Sequence, residues 1–306
     1  MWFKNIQIFH FETPMGYDPE KLENDLSDLT FQPCAKTLPQ SFGWAPPLGD
    51  EDASLVYASN GFMMFRMKVE EKLLPPSVIR EQHLEKIQEL EEKFERKLYR
   101  DEKLRLKDEM YHTLLAKAFS RTADVYAYVD TKRNTLIVDT SSSKRIEQFL
   151  SLYSKTVLDH AIFTPETKSP STLMTSWLSH QKYPASLSIT NNCTLQNSND
   201  ERSTARFTHA DLTSDAVTKA LEDGFQVVQL GLNWREQVMF NLKHDFSISG
   251  VKFLEGVQEV AKNCHSETVE ERFAADFIIM AETLQNFLGD FMEIFKQTKK
   301  EEAIMA

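Results

Sequence analysis

Residues 78–118 read VIREQHLEKIQELEEKFERKLYRDEKLRLKDEMYHTLLAKA. This stretch contains neither glycine nor proline and is rich in Glu, Lys, Leu and Arg, which are strong helix formers. The pattern predicts either one long helix or a helical hairpin. A break near Arg100, with Asp101 as the cap of a second helix, would give the hairpin. Because Pro75 and Pro76 end the structure before it, the stretch is predicted to form an arm that protrudes from the fold.

Strand patterns precede this arm. The N-terminal nine residues are apolar at both even and odd positions, which predicts a first strand buried on both faces. Asp18-Pro19 is a helix-start signal, and the helix is expected to run to about Leu29. Residues 42–49 contain Gly and Pro and are predicted to form a turn. Asn60-Gly61 lies between two apolar runs, which predicts a β-hairpin.

Strand patterns also return after the arm. Residues 125–129 and 135–139 are predicted to pair through the turn Lys132-Arg133-Asn134, and a helix is expected over 144–158. Residues 159–205 are predicted to be irregular apart from a short helix around Trp177 before Tyr183-Pro184, with an Asn-rich polar loop. A helix over 214–222 should end at Gly224, followed by paired strands over 225–234 and 237–242. The tail from about residue 267 to residue 303 is predicted to form one or two helices.

Together these patterns predict an α+β fold with antiparallel sheets and a protruding arm of long helices. The chain divides into four segments. They are an N-terminal α+β sheet region (1–75), the helical arm (76–121), central strands with a helix and an irregular loop (122–205), and C-terminal strands and helices (206–306).

The charge is distributed unevenly along the chain. The 306 residues include 35 Lys+Arg and 46 Asp+Glu, a net charge of −11 that by itself argues against a nucleic-acid partner. However, residues 1–75 carry −5 and residues 159–306 carry −8, whereas residues 93–121 hold 9 basic and 5 acidic side chains, a net of +4. The positive charge is therefore concentrated in the arm.

The bases of the arm are also ordered along it. On a continuous helix Lys93, Arg96, Arg100, Lys103 and Lys107 would fall within an arc of roughly 80° and form a stripe some 20 Å long. A stripe of this kind suits a phosphate backbone better than a small ligand. A break in the helix would split the stripe into two patches. The alternative is an ordinary solvated helix face held by local Glu–Lys pairs.

Other classes of site are weakly supported. The 21 Phe and only 9 Gly make a Gly-rich phosphate-binding fold improbable. Cys264-His265 with His244 fits no zinc spacing, so neither a metal nor a cofactor is expected. The three separated cysteines indicate a reducing cytoplasm, and no apolar run predicts a membrane span.

Several stretches across the chain resemble the RdgC family of recombination-associated proteins. They are MWFKN (1–5), FQPC (31–34), GWAPPLG (43–49), EEKLLPPSVI (70–79), LKDE (106–109), AFSR (118–121), VDT (129–131), DLTS (211–214) and RFAADFIIM (272–280). The resemblance extends over essentially all 306 residues, and it is more specific in the N-terminal half.

This resemblance implies a function that spacing alone does not. It implies a non-enzymatic, ring-shaped homodimer that encloses double-stranded DNA in a basic central hole without sequence preference, and that restrains strand exchange by RecA. Single-stranded DNA is an additional candidate partner, and the expected location is the cytoplasm, on the nucleoid. By position, the resemblance assigns the lining of the hole to Arg96, Lys97, Arg100, Lys103, Lys107, Lys117 and Arg121.

The resemblance also implies a contact that closes the ring. Phe119, within Ala-Phe-Ser-Arg, is expected at this subunit contact or gate, the alternative being an ordinary core aromatic. Relatives carry basic and amide residues just before Asp-Leu-Thr-Ser. Here these positions are His209 and Ala210, with Arg206 slightly upstream, so this chain departs from the pattern of the gate.

Two other functional classes remain open at this point. One is a structural protein whose charged arm docks a protein partner. The other is a nuclease or hydrolase, which would require acidic groups that hold a divalent metal.

Overall fold

The computed structural model describes residues 2–49, 53–264 and 268–296. Its main feature is a 12-stranded sheet in which all pairs of named strands are antiparallel. The strands are β1 (Asn5–Phe11), β2 (Gln40–Ala45), β3 (Tyr57–Ser59), β4 (Phe62–Lys72), β5 (Ser120–Asp130), β6 (Thr135–Val138), β7 (Ile162–Phe163), β8 (Leu187–Asn197), β9 (Thr204–Thr208), β10 (Phe225–Trp234), β11 (Val238–Lys243) and β12 (Ile248–Phe253). The predicted α+β class with antiparallel pairing is confirmed.

Eight helices accompany this sheet in the described part of the chain. They are α1 (Pro19–Ser27), α2 (Pro76–Phe94), α3 (Arg100–Leu115), α4 (Ser143–Thr156), α5 (Pro170–His180), α6 (Asp215–Glu222), α7 (Glu255–Asn263) and α8 (Val269–Phe295). Within the predicted helical tail the structure describes a single helix, α8, and residue 267 and residues 297–303 of that prediction lie outside the described residues.

The strand β1 joins the two halves of the sheet. The strand order is β2-β4-β5-β6-β1-β12-β11-β10-β8-β9, with β3 on β4 and β7 on β1. Ile6 and Ile8 of β1 are buried in the apolar core on one face, and Phe9 and Phe11 in the core on the other. The prediction that this strand is buried on both faces is confirmed.

Each face of the sheet has its own apolar core. On one face α5 and α8 cover the strands, and α8 contributes the fully buried Phe277, Phe287, Phe291 and Phe295. On the other face α1 and α4 cover β4, β5 and β6 around Trp44. The long Phe-rich helix is therefore a core element, and its burial by the sheet explains its aromatic spacing.

The predicted arm is a helical hairpin inserted between two paired strands. Lys72 at the end of β4 is the register partner of Ser120 at the start of β5, and the Leu73 N–H donates to the Phe119 carbonyl oxygen at 2.7 Å. The chain leaves the sheet through α2 and returns through α3, and the two helices pack mainly on each other. An insertion with adjacent ends protrudes without disturbing the β4–β5 ladder.

The predicted turn over residues 42–49 is wrong in its first half, because these residues belong to β2. Trp44 is 1% exposed and packs its ring against Phe65 and Phe149. A Cβ at Gly43 would lie 2.6 Å from the backbone of Phe31, so glycine is needed here for a close approach of two chain segments. Gly43 therefore marks a strand residue that lies against the backbone of Phe31, not a turn. The turn begins at Pro46, whose carbonyl oxygen accepts the Gly49 N–H.

Over residues 159–205 the short helix expected around Trp177 is present as α5, but the rest of the prediction of irregular structure is wrong. This range also contains β7, β8 and the first residues of β9, and the Asn-rich stretch begins inside β8, where Asn191 and Asn192 lie. β8 is stabilised by pairing with β10 on one side and β9 on the other. Strand pairing over long sequence separation overrides the low strand propensity of asparagine.

Candidate nucleic-acid interface

The reversal of the arm places one predicted DNA-binding residue in an ion pair. Glu95 adopts a left-handed conformation with φ of 52° and ends α2, and α3 begins at Arg100. In the loop between them Arg96 donates to both carboxylate oxygens of Glu102, at 2.9 and 2.7 Å. The hydrogen bond from Arg96, followed by one from the Tyr99 N–H, lowers the pKa of Glu102 to about 2. Arg96 therefore supports the turn of the hairpin.

A second carboxylate at the turn binds two more of the predicted residues. Lys97 Nζ lies 2.7 Å and Lys103 Nζ 3.2 Å from the Glu91 carboxylate, which also accepts the Leu98 N–H at 3.0 Å. These hydrogen bonds, that of Lys97 first, lower the pKa of Glu91 to about 2. Lys97 nevertheless keeps 90% of its side-chain surface exposed. Its charge is thus accessible to a second anion.

The continuous stripe of bases predicted for a single helix is wrong, because the chain reverses after Phe94. Arg100, Lys103 and Lys107 still share one face of α3, over about 10 Å at 1.5 Å per residue. Arg100, Lys107 and Lys117 are exposed, and within the described ranges none of the three makes an ion pair. These three are the predicted residues whose charge is uncompensated.

The base of the arm holds a cluster of cations around Glu71. Lys144 Nζ and Arg145 Nη2 each lie 2.5 Å from this carboxylate, and Arg121 Nη2 lies at 3.8 Å. Three positive groups face one negative group, and the side chains of Arg121 and Lys144 are 66% and 61% exposed. The hydrogen bond from Lys144, and after it that from Arg145, holds the pKa of Glu71 below 4.5. The arm base consequently carries excess positive charge.

Lys144 and Arg145 are interface candidates that the sequence analysis did not assign. They belong to the first turn of α4, where Ser142 caps the helix by accepting the Arg145 N–H. Glu71 and Arg121 are register partners on β4 and β5, and α4 packs over these strands. The charge sums of the sequence pointed to the arm and not to these two residues, since their approach to Arg121 depends on the packing of α4 on the sheet.

Phe119 lies at the same end of the sheet as this cluster. Its side chain is 85% exposed, which is more than any other large apolar side chain in the described part of the chain. The structure therefore places it outside both cores and excludes the alternative of an ordinary core aromatic. An apolar ring held this far into solvent is typical of an interaction surface.

The arm carries further exposed apolar side chains between its charges. Leu84 and Phe94 on α2, Tyr99 in the loop and Leu104 on α3 are between 52% and 72% exposed. The Arg96 guanidinium lies 5.9 Å from the ring centre of Phe94 and 5.2 Å from that of Tyr99. The arm surface is thus mixed, with cations beside aromatic and aliphatic groups.

His209 and Ala210 lie far from Phe119 within one subunit. They follow β9, the last strand of the sheet, and are held by hydrogen bonds from their N–H groups to Asn192 and Asn191 of β8. Seven strand steps separate β9 from β5, which is about 34 Å along the sheet at 4.8 Å per step. One chain does not bring the two parts of the expected gate together.

The remaining kinds of site to consider are a metal centre and a membrane-spanning helix. No group of three or more His, Cys, Asp or Glu side chains in the described part of the chain is arranged to hold a metal ion. Of the Cys264-His265 pair, His265 lies outside the described residues. No helix in the described ranges is both long and apolar enough to cross a membrane.

Comparison with known proteins agrees with the sequence resemblance. A family model described as "RdgC: Putative exonuclease, RdgC" matches residues 1–298. The recombination-associated protein RdgC of Aeromonas hydrophila subsp. hydrophila is 34% identical over 289 residues, covering 94% of this chain and 95% of the relative. The proteins of the same name from Halorhodospira halophila and Tolumonas auensis are each 33% identical, covering 96% and 98% of this chain and 98% and 100% of those relatives.

These matches span the sheet, both cores and the arm, and several relatives exceed 30% identity over nearly the whole length. The chain belongs to the RdgC family of recombination-associated proteins.

Proposed function

We propose that this protein binds double-stranded DNA without sequence preference, as a ring-shaped homodimer on the nucleoid, and restrains RecA-mediated strand exchange. The observation that carries the proposal is the distribution of cations on the arm and at its base. In a chain of net charge −11, Arg100, Lys107 and Lys117 are exposed and make no ion pair with any residue that the structure describes, and three cations share one carboxylate at Glu71.

The proposed mechanism is electrostatic. Each cation that neutralises a phosphate releases condensed counterions, so that log K falls linearly with log salt at a slope of roughly 0.9 per contact. The side chains concerned are Lys and Arg on a helix face, and they have the flexibility to follow a backbone without reading base edges. The acidic remainder of the surface repels DNA and confines it to the basic face.

The homodimer is supported by the apolar groups of the arm. Phe119, Leu104 and Tyr99 are exposed apolar side chains on an element that packs mainly on itself, and a second copy would bury them. Two arms that meet in this way would bring their basic faces around one channel. A closed channel retains DNA topologically, and bound protein then obstructs the loading of a recombinase or strand exchange by it.

The decisive experiment is a salt series of binding to a duplex, combined with the solution mass of the protein. We expect a dimer mass and a steep linear salt dependence with the same slope on unrelated sequences. An absence of duplex binding at low salt would refute the proposal. Adding the protein to a RecA strand-exchange reaction then tests the restraint, with inhibition expected at concentrations that saturate the duplex.

A second candidate function is exonuclease activity, which is favoured by the description of the matching family model. It requires divalent metal and a carboxylate that holds it. Incubation of end-labelled duplex with Mg²⁺ or Mn²⁺ tests it, and degradation that is lost on mutation of one acidic residue would establish it. The third possibility, an arm that docks a protein partner, would show a dimer or complex with no salt-dependent affinity for DNA.

A further inference from the structure

A cavity of about 270 Å³ lies at the end of β5 opposite the arm. It is formed by the β5–β6 turn, β1 and α8. Its walls are His10, Lys132, Arg133 and Thr135 on the polar side and Ile8, Leu288 and Met292 on the apolar side. Since β5 has 11 residues, about 33 Å at 3.3 Å per step separate this cavity from the arm base. The cavity is therefore distinct from the proposed DNA interface.

The side chains of the two cations in this cavity form no ion pair within the described ranges, although the Asp130 carboxylate accepts their backbone N–H groups. Within residues 2–49, 53–264 and 268–296, neither Lys132 nor Arg133 makes an ion pair, and both side chains are exposed. Lys132 and Arg133 are consecutive residues, so their positive charges repel each other. A bound dianion would relieve that repulsion. A terminal phosphate carries a charge of about −1.5 to −2 near pH 7, which matches two cations better than one internal phosphodiester does.

A glycine in α8 accommodates the Arg133 guanidinium. A Cβ at Gly289 would lie 2.1 Å from Arg133 Nη2 and 2.6 Å from Cζ. The guanidinium thus occupies the place of a side chain, directly against the helix. Glycine inside a helix is less stable than alanine, so Gly289 does not contribute to the stability of the 27-residue α8. The absence of a side chain at Gly289 lets the Arg133 guanidinium lie beside the cavity.

The turn that carries these cations is held rigidly. The buried Asp130 carboxylate accepts the N–H groups of Lys132 and Arg133 at 3.0 and 3.1 Å, and it also accepts Gln285 Nε2 of α8 at 2.8 Å. The Asn134 side chain donates to the Phe11 carbonyl oxygen at 3.0 Å. Since the turn is fixed to both α8 and β1, little conformational entropy remains to be lost when a ligand binds.

We propose that this cavity is a binding site for a terminal phosphate attached to a sugar. Lys132 and Arg133 would bind the phosphate oxygens, His10 would contribute a further hydrogen bond, and the buried Ile8 and Leu288 with Met292 would contact the sugar. The volume is below the usual range for a whole drug-sized ligand, so it suits this moiety alone. The phosphate belongs either to a free nucleoside monophosphate or to the phosphorylated end of a DNA strand.

The test uses the full-length protein and calorimetric titration with AMP, inorganic phosphate and adenosine. We expect AMP and phosphate to bind and adenosine to fail. Arg133→Met should weaken AMP binding by about tenfold or more. Gly289→Ala should do the same while keeping every charge, because the added Cβ displaces the guanidinium. Lys262→Met, which removes an exposed cation of α7, is the matched control and should leave AMP binding unchanged.

The source of the phosphate is distinguished by duplexes with and without a 5′-phosphate. Tighter binding of the phosphorylated duplex, lost in Arg133→Met, assigns the site to strand ends, whereas AMP binding without this difference assigns it to free nucleotides. Absence of any binding by all these probes overturns the proposal, and so does equal AMP affinity in the parent and both variants. If Gly289→Ala fails to fold, Arg133→Met on the exposed turn decides the outcome.

Discussion

The Arg96 guanidinium donates two hydrogen bonds to the Glu102 carboxylate, from Nη1 at 2.9 Å and from Nη2 at 2.7 Å, across the loop that reverses the arm. A cation expected to contact DNA is thus compensated in the free protein. Arg96 can therefore either stabilise the turn or contact a phosphate of DNA. If it stays paired with Glu102, it contributes little to the salt dependence of DNA binding, and the first prediction distinguishes the two roles.

Glu102→Gln should tighten binding to any duplex and increase the salt slope by about 0.9, because it releases the charge of Arg96. Glu109→Gln is the matched control, since it makes the same change in net charge on the same helix at an exposed residue. Fluorescence anisotropy over a salt series measures both. If the two variants behave alike, Arg96 has only a structural role at the turn.

Arg100 and Lys107 are two exposed cations of α3 that make no ion pair among the described residues, and their removal should act in the opposite direction. The double variant Arg100→Gln/Lys107→Gln should weaken binding equally on unrelated duplexes and reduce the salt slope by about 2. Lys262→Gln on α7 should leave the slope unchanged. A loss confined to one DNA sequence would contradict the phosphate-contact mechanism and would favour base readout.

Phe119→Ser should weaken dimerisation or the retention of DNA without changing the stability of the subunit. The ring is 85% exposed, so its replacement should alter the free energy of unfolding by no more than about 0.5 kcal/mol. Leu158→Ser is a suitable control, because that side chain is 77% exposed on a different element. Sedimentation and DNA binding report the outcome, and an unchanged dimer mass together with unchanged DNA affinity would exclude the gate.

A closed ring should distinguish linear from circular DNA. If DNA must enter through an end, relaxed circular duplex should bind more slowly than the same sequence after linearisation. Phe119→Ser should reduce the difference by opening the gate. Stopped-flow association rates on the two forms measure it. Equal rates for the parent protein would mean that the ring opens readily or that no ring is needed.

The parts of the fold that could be predicted from the sequence are those determined by residues close together in the chain. The Asp18 side chain accepts the Lys21 N–H at the start of α1, and Asn60-Gly61 adopts the positive φ values of a hairpin turn, as their spacing indicates. The helix that ends before Gly224 follows the same logic, with φ of 85° at this glycine. Such signals act within about four residues, so they are visible in a single sequence.

The features that were missed depend on distant residues. Gly43 lies in β2 because the backbone of Phe31 passes beside it, and β8 exists because β9 and β10 pair with it. The two halves of the arm are joined by hydrogen bonds across the turn to Glu91 and Glu102. Neither the position of the reversal nor the pairing of Arg96 and Lys97 follows from helix periodicity alone. The positive charge of the arm was predictable from composition, whereas its local compensation was not.

The ion-pair cluster at the arm base leads to a prediction about stability and pH. The side chains of Glu71 and Arg145 are only 17% and 13% exposed and lie 2.5 Å apart. Glu71→Gln would leave the Arg145 charge poorly compensated in a nearly buried position. We therefore expect the free energy of unfolding near neutral pH to fall by about 1 to 3 kcal/mol. Chemical denaturation measures this, with Glu109→Gln as the exposed control.

The stability difference between the parent protein and Glu71→Gln should also depend on pH, in a direction that the pKa of Glu71 determines. Hydrogen bonds from Lys144 and Arg145 hold the pKa of Glu71 below 4.5 in the folded protein, so the ionised form is favoured by folding. The stabilisation is then fully present above the unfolded pKa and is lost as the pH falls through the folded pKa. The parent protein and Glu71→Gln should accordingly differ most near pH 7 and converge in stability as the pH falls through the lowered folded pKa of Glu71. A difference that stays constant across this range would show that the cost of the variant comes from packing, because only the ionised carboxylate can pair with Arg145.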